Sequence, residues 1–465
     1  MNPATRTETD ILGSRKLPVD ALHGINTLRG VENFPFSGRR LGDEPDYVVA
    51  LAQTKLAAAR ANHALGLLTE ENFAAIAAAC DALARLECRD ALMVDMLEGS
   101  GGTSTNMNVN EVLANLALGM LGKPAGCYDV IHPVDHLNRG QSASDVISTA
   151  LKVTAFRKAG RICQALRTLA ERFDVLAKRE AETLQLARTC LQDAMPMTAG
   201  QRFAACSTLV RRLSCGVQEA QRSLVAVNLG GTAIGTGAGA AAGYRERAVA
   251  ELAAITGIPL VSASDLVDST QNMDIFVSLS ASLRTATLST GKIANDLMIL
   301  SSGPCGGIGE VRLPEWQAGS SMMPGKVNPV MPIALQQVAF AVAGNDVAIG
   351  MAANHGHLEC NSYVGLIAAK LLESLRLVEA GFTLFAERCI EGLSVDAQAC
   401  EAHLHRSTAL APIVSPAIGY KATSELVRRS VESGQPLADL LVAEGVLSRE
   451  EVMHLTLASV RHAGH

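Results

Sequence analysis

Apolar residues recur along this chain at helical spacing over unusually long stretches. From Ala150 to Arg188, the side chains of Leu151, Val153, Phe156, Ile162, Leu166, Leu169, Phe173 and Leu176 fall on one stripe. Arg157, Lys158, Arg161, Glu171 and Arg172 fall off it. A period near 3.6 predicts an amphipathic helix with one buried face. Proline removes a backbone donor and clashes with the preceding turn, so its absence shows where long helices are permitted. Residues 46–123, 134–195, 197–258 and 333–411 contain none, and good helix formers fill much of them. A helix of about 40 residues would run roughly 60 Å. Such a rod cannot bury its face on a short neighbour, so several must lie side by side, within one subunit and between subunits. The expected fold is therefore all-α, a long-helix bundle in an oligomer. Strand signals are confined to weak candidates in the first fifty residues, and the regularly spaced strands that a doubly wound α/β sheet requires are missing.

The prolines gather instead at Pro304, Pro314, Pro324, Pro329 and Pro332, among Gly303, Gly306, Gly307, Gly309, Gly319 and Gly325. That density marks a long loop, and a long loop inside a helical scaffold is usually functional. A second shift follows residue 395, where Pro412, Pro416 and Pro436 break the chain into short elements. The expected division is an N-terminal helical domain over 1–141, a central long-helix domain over 142–395 and a small C-terminal domain over 396–465.

Composition narrows the function. With 48% apolar and 18% charged residues the 465-residue chain is a folded protein with a sizeable core. Aromatics at 3% argue against a stacking platform for single-stranded nucleic acid or a sugar groove, and a net charge of −6 argues against a phosphate backbone as partner. Eleven cysteines stand singly, with no closely spaced pair and an odd total, which fits a reducing cytoplasm better than a disulfide framework. The polar N-terminus lacks the apolar core of a signal peptide. Ser223 to Tyr244 is uncharged and long enough to raise a membrane reading, but its glycines, Asn228 and two threonines suit a packed connection better. No membrane partner is expected.

Several motifs fail on chemistry. Gly235, Gly237 and Gly239 resemble a dinucleotide loop, yet no strand signal precedes them and no acidic ribose partner follows at the needed interval. Between Gly319 and the Gly325-Lys326 pair lie five residues, where a phosphate-binding loop needs four, and Val327 stands where that loop needs Ser or Thr. His132 and His136 could share a helix face after Pro133, but a polar-network role suits them better than a metal. His355, His357, Glu359 and Cys360 form one dense cluster without a second ligand pair. No cofactor or metal is expected. The segment Gly319-Ser320-Ser321-Met322-Met323-Pro324-Gly325-Lys326-Val327-Asn328-Pro329 is different in kind, with two serines, a lysine and an asparagine on a glycine-flanked loop. From its chemistry alone it is equally a loop that closes over a ligand and a loop whose serines cap backbone amides.

This segment resembles the signature of the aspartase/fumarase superfamily, and the resemblance runs along essentially the whole chain. Further blocks in the family order are Arg6-x-Glu8-x-Asp10-x-Leu12-Gly13, Gly24-x-x-Thr27-Leu28-Arg29 and Gly102-Thr103-Ser104-x-Asn106-Met107-Asn108-x-Asn110-Glu111. They continue with His132-Pro133-x-Asp135-His136, Arg188-Thr189-x-Leu191-Gln192-Asp193 and Asn345-Asp346. The resemblance implies a homotetramer around a central helical bundle, active sites each built from three subunits, and anti elimination across a succinate skeleton without a cofactor. It makes Ser320 the base and gives Lys326 and Asn328 the grip on one carboxylate. Thr103, Ser142, Thr189 and Ser321 hold the other carboxylate and the leaving amine. Ser104, Ser144 and Cys190 stand in the same cradle, and Arg29 matches a further position near a carboxylate.

The chain also departs from the family pattern. Ser142-Ala143-Ser144-Asp145 stands where the family has Ser-Thr-Asn-Asp, which removes one hydroxyl and one amide from the cradle. Cys190 and Ile333 replace the histidine and glutamate that work as a pair near the leaving hydroxyl in fumarase, and Val134 replaces an asparagine. Losing one buried polar partner costs about 1–3 kcal/mol, whereas losing both can be nearly neutral. The resemblance therefore implies an aspartase-like carbon–nitrogen lyase releasing ammonia and fumarate from L-aspartate. Its rivals are a lyase for a modified or N-substituted succinate, a fumarate hydratase, and a catalytically silent structural relative.

Overall fold

The computed structural model describes residues 4–461. Sixteen α-helices dominate the described residues, and the strands form four two-stranded pairings. The longest helices are Ala143–Arg179, Asp274–Leu300, Val330–Asn354, Ala199–Arg222 and Val364–Phe385. Pro332 sits in the first turn of its helix, where a backbone N–H has no partner to lose.

The helix expected over Ala150–Arg188 begins and ends earlier, at Ala143 and Arg179. Beyond it Leu184–Thr189 pairs antiparallel with Gln192–Thr198, a hairpin that the sequence did not announce. Its two connecting residues, Cys190 and Leu191, have left-handed φ of 53° and 62°, a turn that ordinarily asks for Asn or Gly. The N-terminal hairpin, Thr5–Asp10 with Gly13–Pro18, lies where weak strand candidates were expected. His132 to His136 form turns and not a helix. The His132 ring Nδ1 accepts from the Val134 N–H at 3.1 Å, and the His136 Nδ1 accepts from the His132 N–H at 2.9 Å.

The chain divides into two compact units, each discontinuous in sequence. One comprises the chain up to Cys163 with Cys215–Thr285 and Phe340–Glu379; the other comprises Gln164–Ser214, Ala286–Ala339 and the chain from Ala380 on. In the first, helix Pro45–Ala64 packs on Glu70–Ala84 and Tyr244–Thr256, burying Leu51, Ile76, Leu83 and Leu252 completely. Each such side chain contributes about 1.5–3 kcal/mol. The buried Glu111 carboxylate, on helix Thr103–Met120, accepts from the backbone N–H groups of Gly24, Asn26 and Thr27 and so caps helix Ile25–Asn33.

In the second unit Phe173 and Phe203 stack with ring centroids 6.4 Å apart. Its last segment is made of short helices around a separate cluster of Leu410, Val414, Leu426, Leu437 and Leu441. Residues 301–329 are irregular apart from Val311–Arg312, which pairs with Ser394–Val395. Helix Val330–Asn354 is long and apolar enough to cross a membrane by length and composition, and it exposes Phe340, Val347 and Met351 on one stripe.

Candidate active site

Within the first unit, Thr103, Ser142 and Ser144 line one cavity of about 550 Å³, together with Asn106, Asn138, Gln141, Thr232 and Cys360. Thr103 opens helix Thr103–Met120, and the residue before it, Gly102, has φ +92°, a conformation that favours glycine. Ser142 stands just before helix Ala143–Arg179, where its N–H donates to Asp145 Oδ1 at 2.9 Å and its hydroxyl accepts from the Ser144 N–H at 3.3 Å. Two helix N-termini thus open on this cavity and favour negative charge there. No charged side chain is among its lining residues; hydroxyls, amides and a thiol are. Ser144 Oγ lies 3.8 Å from Cys360 Sγ. Ser104 is not among the lining residues; its hydroxyl lies 3.0 Å from that of the lining residue Ser100, whose Oγ also accepts from the Ser104 N–H at 2.8 Å.

Charge lies one layer below. Asp145 is fully buried, and its Oδ2 accepts from the N–H groups of Gly230 and Thr232, both at 3.1 Å. Burial pushes its carboxyl up to about 6 despite these bonds. Lys55 is equally buried and donates to Asn138 Oδ1 at 3.1 Å and Gln141 Oε1 at 2.9 Å. Burial pulls its ammonium down to about 7. Sequence reasoning passed over Lys55, Asn138, Gln141 and Thr232, because nothing local distinguishes a cavity floor from any polar turn. Cys360 drew notice only as part of a metal reading. Among the described residues no group of three His, Cys, Asp or Glu side chains is arranged to hold a metal ion.

Ser320, Ser321, Lys326 and Asn328 belong to the second unit, on the glycine- and proline-rich loop. The loop closes on itself. Gly319 N–H donates to the Lys326 carbonyl at 2.7 Å, and Asn328 Nδ2 donates to the Gly319 carbonyl at 2.9 Å. A Cβ on Gly319 would stand 2.7 Å from the Lys326 carbonyl oxygen, so the closure needs glycine. The Ser320 hydroxyl accepts from the backbone N–H groups of Met322 at 3.0 Å and Met323 at 3.1 Å. Lys326 and Asn328 line a cavity of about 530 Å³ with Met298, Arg312 and Glu315, whereas Ser320 and Ser321 are outside its lining.

Thr189 and Cys190 sit exposed at the tip of the unforeseen hairpin. Behind them Arg188 is held by Glu310, whose Oε1 also lies 2.8 Å from His403 Nδ1. The hydrogen bond to Glu310 raises the Arg188 pKa further. Arg29 lines neither cavity: its guanidinium makes two bonds to Asp10, 2.7 and 2.8 Å, and one to the Gly13 carbonyl. Among the described residues no hydrogen bond ties Thr189 or Cys190 to Ser320, Ser321, Lys326 or Asn328.

Comparison with known proteins gives the family. The family described as lyase matches residues 13–344. An aspartate ammonia-lyase of Pseudomonas aeruginosa is 43% identical over 98% of this chain and 96% of its own length. An Escherichia coli aspartate ammonia-lyase is 38% identical over 97% and 95%. Among solved structures, a Brucella melitensis protein described as fumarate lyase:delta crystallin, bound to cobalt, superposes with a TM-score of 0.95 at 41% identity, covering 99% of this chain and all of that one. A class II fumarase from Schistosoma mansoni gives 0.91 at 28% identity, covering 97% and 98%. The fold and the sequence together define a helical lyase. The chain belongs to the aspartase/fumarase superfamily.

Proposed function

We propose that this protein is an aspartate ammonia-lyase, a carbon–nitrogen lyase that converts L-aspartate to fumarate and ammonia. The reading is supported above all by the full-length similarity to aspartate ammonia-lyases, and at the site by the Ser320 hydroxyl, which receives two backbone N–H groups. A serine hydroxyl is a weak acid, and two fixed donors aimed at its oxygen favour the alkoxide over the neutral form. In the proposed step the Ser320 alkoxide takes the proton from the carbon beside the β-carboxylate. The electron pair left behind spreads into that carboxylate. It then returns to form the carbon–carbon double bond as the carbon–nitrogen bond breaks, releasing ammonia. Ser320 afterwards gives its proton to solvent.

The developing charge on the carboxylate needs donors that are already in place. We assign that cradle to Thr103, Ser142 and Ser144 with Thr189 and Ser321, and the other carboxylate to Lys326 and Asn328. Arg29, Ser104 and Cys190 are assigned supporting places around the substrate. The uncharged cavity and the lysine-bearing loop have complementary chemistry, which supports a site completed between copies of the chain. The exposed stripe of Phe340, Val347 and Met351 supports a homotetramer built on the long helices. Eleven free thiols suit a reducing, cytoplasmic compartment. The domain division at residues 141 and 395 is proposed with it.

A second reading, a lyase for an N-substituted aspartate, is favoured by the small Ser144 and Cys360 side chains, which meet at 3.8 Å in the cavity lining and leave its volume to a larger substituent. The test is to offer purified protein L-aspartate and a set of substituted succinates, following fumarate by its ultraviolet absorbance. Rapid fumarate release from L-aspartate supports the first reading. Release from a substituted succinate alone transfers the assignment to the second.

A further inference from the structure

Thr232 lies in the glycine-rich connection between Asn228 and Gly239 and has φ +59°. The same connection uses glycine at other left-handed positions, Gly230 at +88° and Gly235 at +85°. A β-branched residue is poorly suited to this region, because its Cβ substituents crowd the neighbouring peptide groups. Here the conformation is held by a buried acceptor: the Thr232 N–H donates to Asp145 Oδ2 at 3.1 Å, and the Asp145 carboxylate also receives the N–H groups of Ser142 and Gly230. One carboxylate therefore ties Thr232 to the turn that carries Ser142 and Ser144.

The residue as a whole is 6% exposed and lines the cavity shared by Thr103, Ser142 and Ser144. Among the described residues the Thr232 hydroxyl has no hydrogen-bond partner, and its oxygen is not among the fully buried unpartnered atoms, so it keeps an exposed edge at the residue that lines the cavity. The cavity offers an anion no charged side chain, so each additional hydroxyl donor counts. A backbone held in a disfavoured region beside a cavity is a common mark of a functional position.

We infer that Thr232 is a substrate-contacting residue, its hydroxyl donating to a carboxylate of the dicarboxylate bound in this cavity. The inference rests on the reading of the cavity as part of the fumarate site.

The experiment compares the full-length parent with Thr232→Val, Thr232→Ser and Thr232→Gly. Fumarate affinity is measured by calorimetry, KM and kcat with L-aspartate, and stability by thermal melting. Thr232→Val keeps the shape and removes the hydroxyl, so fumarate affinity should fall about tenfold or more, with KM rising in step. Thr232→Ser should restore both to within about threefold. Thr232→Gly relieves the backbone and should melt no lower than the parent, yet bind fumarate as weakly as the valine variant; it decides the matter if valine does not fold. Parent-like fumarate affinity in both Thr232→Val and Thr232→Gly overturns the inference. So does a folded serine variant as impaired as valine. A parent that binds fumarate but leaves L-aspartate untouched overturns the aspartate reading alone, and Thr232 is then judged on fumarate affinity. A parent that binds no fumarate overturns both.

Discussion

Arg188 grips Glu310 with two bonds, NH2 to Oε1 at 2.7 Å and NH1 to Oε2 at 3.1 Å, and the glutamate side chain is wholly buried. The pair joins the residue next to Thr189 to the segment from which the Ser320 loop departs. His403, on helix Ala397–Arg406, adds a third element to the same carboxylate. Substituting one partner leaves the other charge uncompensated, which costs about 3–5 kcal/mol. Glu310→Met and Arg188→Met should each lower the denaturant midpoint strongly, and the double variant should recover part of the loss. Equal and additive losses in the double variant would show that the pair is not coupled.

Ser320→Ala removes the proposed base and, with it, the acceptor for the Met322 and Met323 amides. If the serine only caps the loop, the cost is about 1 kcal/mol of local stability and activity survives. If it is the base, kcat falls by about 100- to 10,000-fold while fumarate affinity stays within tenfold. Steady-state kinetics with fumarate calorimetry separates the two, and residual activity above a tenth of the parent removes Ser320 from the mechanism.

Gly319→Ala places a methyl against the Lys326 carbonyl and the Asn328 backbone nitrogen. The loop can then no longer close through the bonds between Gly319, Lys326 and Asn328. Turnover should drop by tenfold or more, about the effect of a 1–3 kcal/mol overpacking cost, while the melting temperature holds because the loop carries little of the core. A variant with parent kinetics would show that loop closure does not depend on this contact.

Lys55 gives a pH signature. The unfolded chain keeps its ammonium proton up to about 10.5, whereas the buried group releases it near 7. Between these values the unfolded state binds more protons, so this group makes stability rise with pH, by up to about 1.4 kcal/mol per pH unit. Below pH 7 the penalty for burying the charged form is fully present. Lys55→Met should therefore flatten the unfolding free energy between pH 7 and 10 relative to the parent. Denaturant titrations at several pH values check this, and parallel curves for the two proteins would contradict it.

If, as the resemblance to fumarase implies, Cys190 and Ile333 occupy the places of its paired histidine and glutamate, the leaving-group pocket offers a thiol and a hydrocarbon instead. L-malate should therefore be eliminated at least about 100-fold more slowly than L-aspartate, the usual contribution of a general acid–base group. Initial rates of fumarate formation from each, with one preparation, decide it; comparable rates would show that the leaving-group pocket needs no such pair.

The long helices and the loop over 301–329 were legible in the sequence, because both follow from constraints acting within a few residues. Proline and glycine decide which backbone conformations are open, and the 3.6-residue apolar period decides which face is buried. The glycine-flanked segment from Gly319 to Asn328 was legible as a loop for the same reason, since its residues are local to one another, while the role of Ser320 came only from the family resemblance. Other features depend on partners far along the chain and have no local signature. The Leu184–Thr189 hairpin forms by pairing with Gln192–Thr198, against its helical continuation and through two non-glycine residues in left-handed turns. Arg29 turns to Asp10, Ser144 meets Cys360 from 216 residues away, and Asp145 holds Thr232 through a backbone bond across 87 residues. The local conformational menu is a property of the sequence itself. Which polar groups end up buried together is settled only when packed helices exclude water and leave each buried donor and acceptor to the neighbour that the fold supplies.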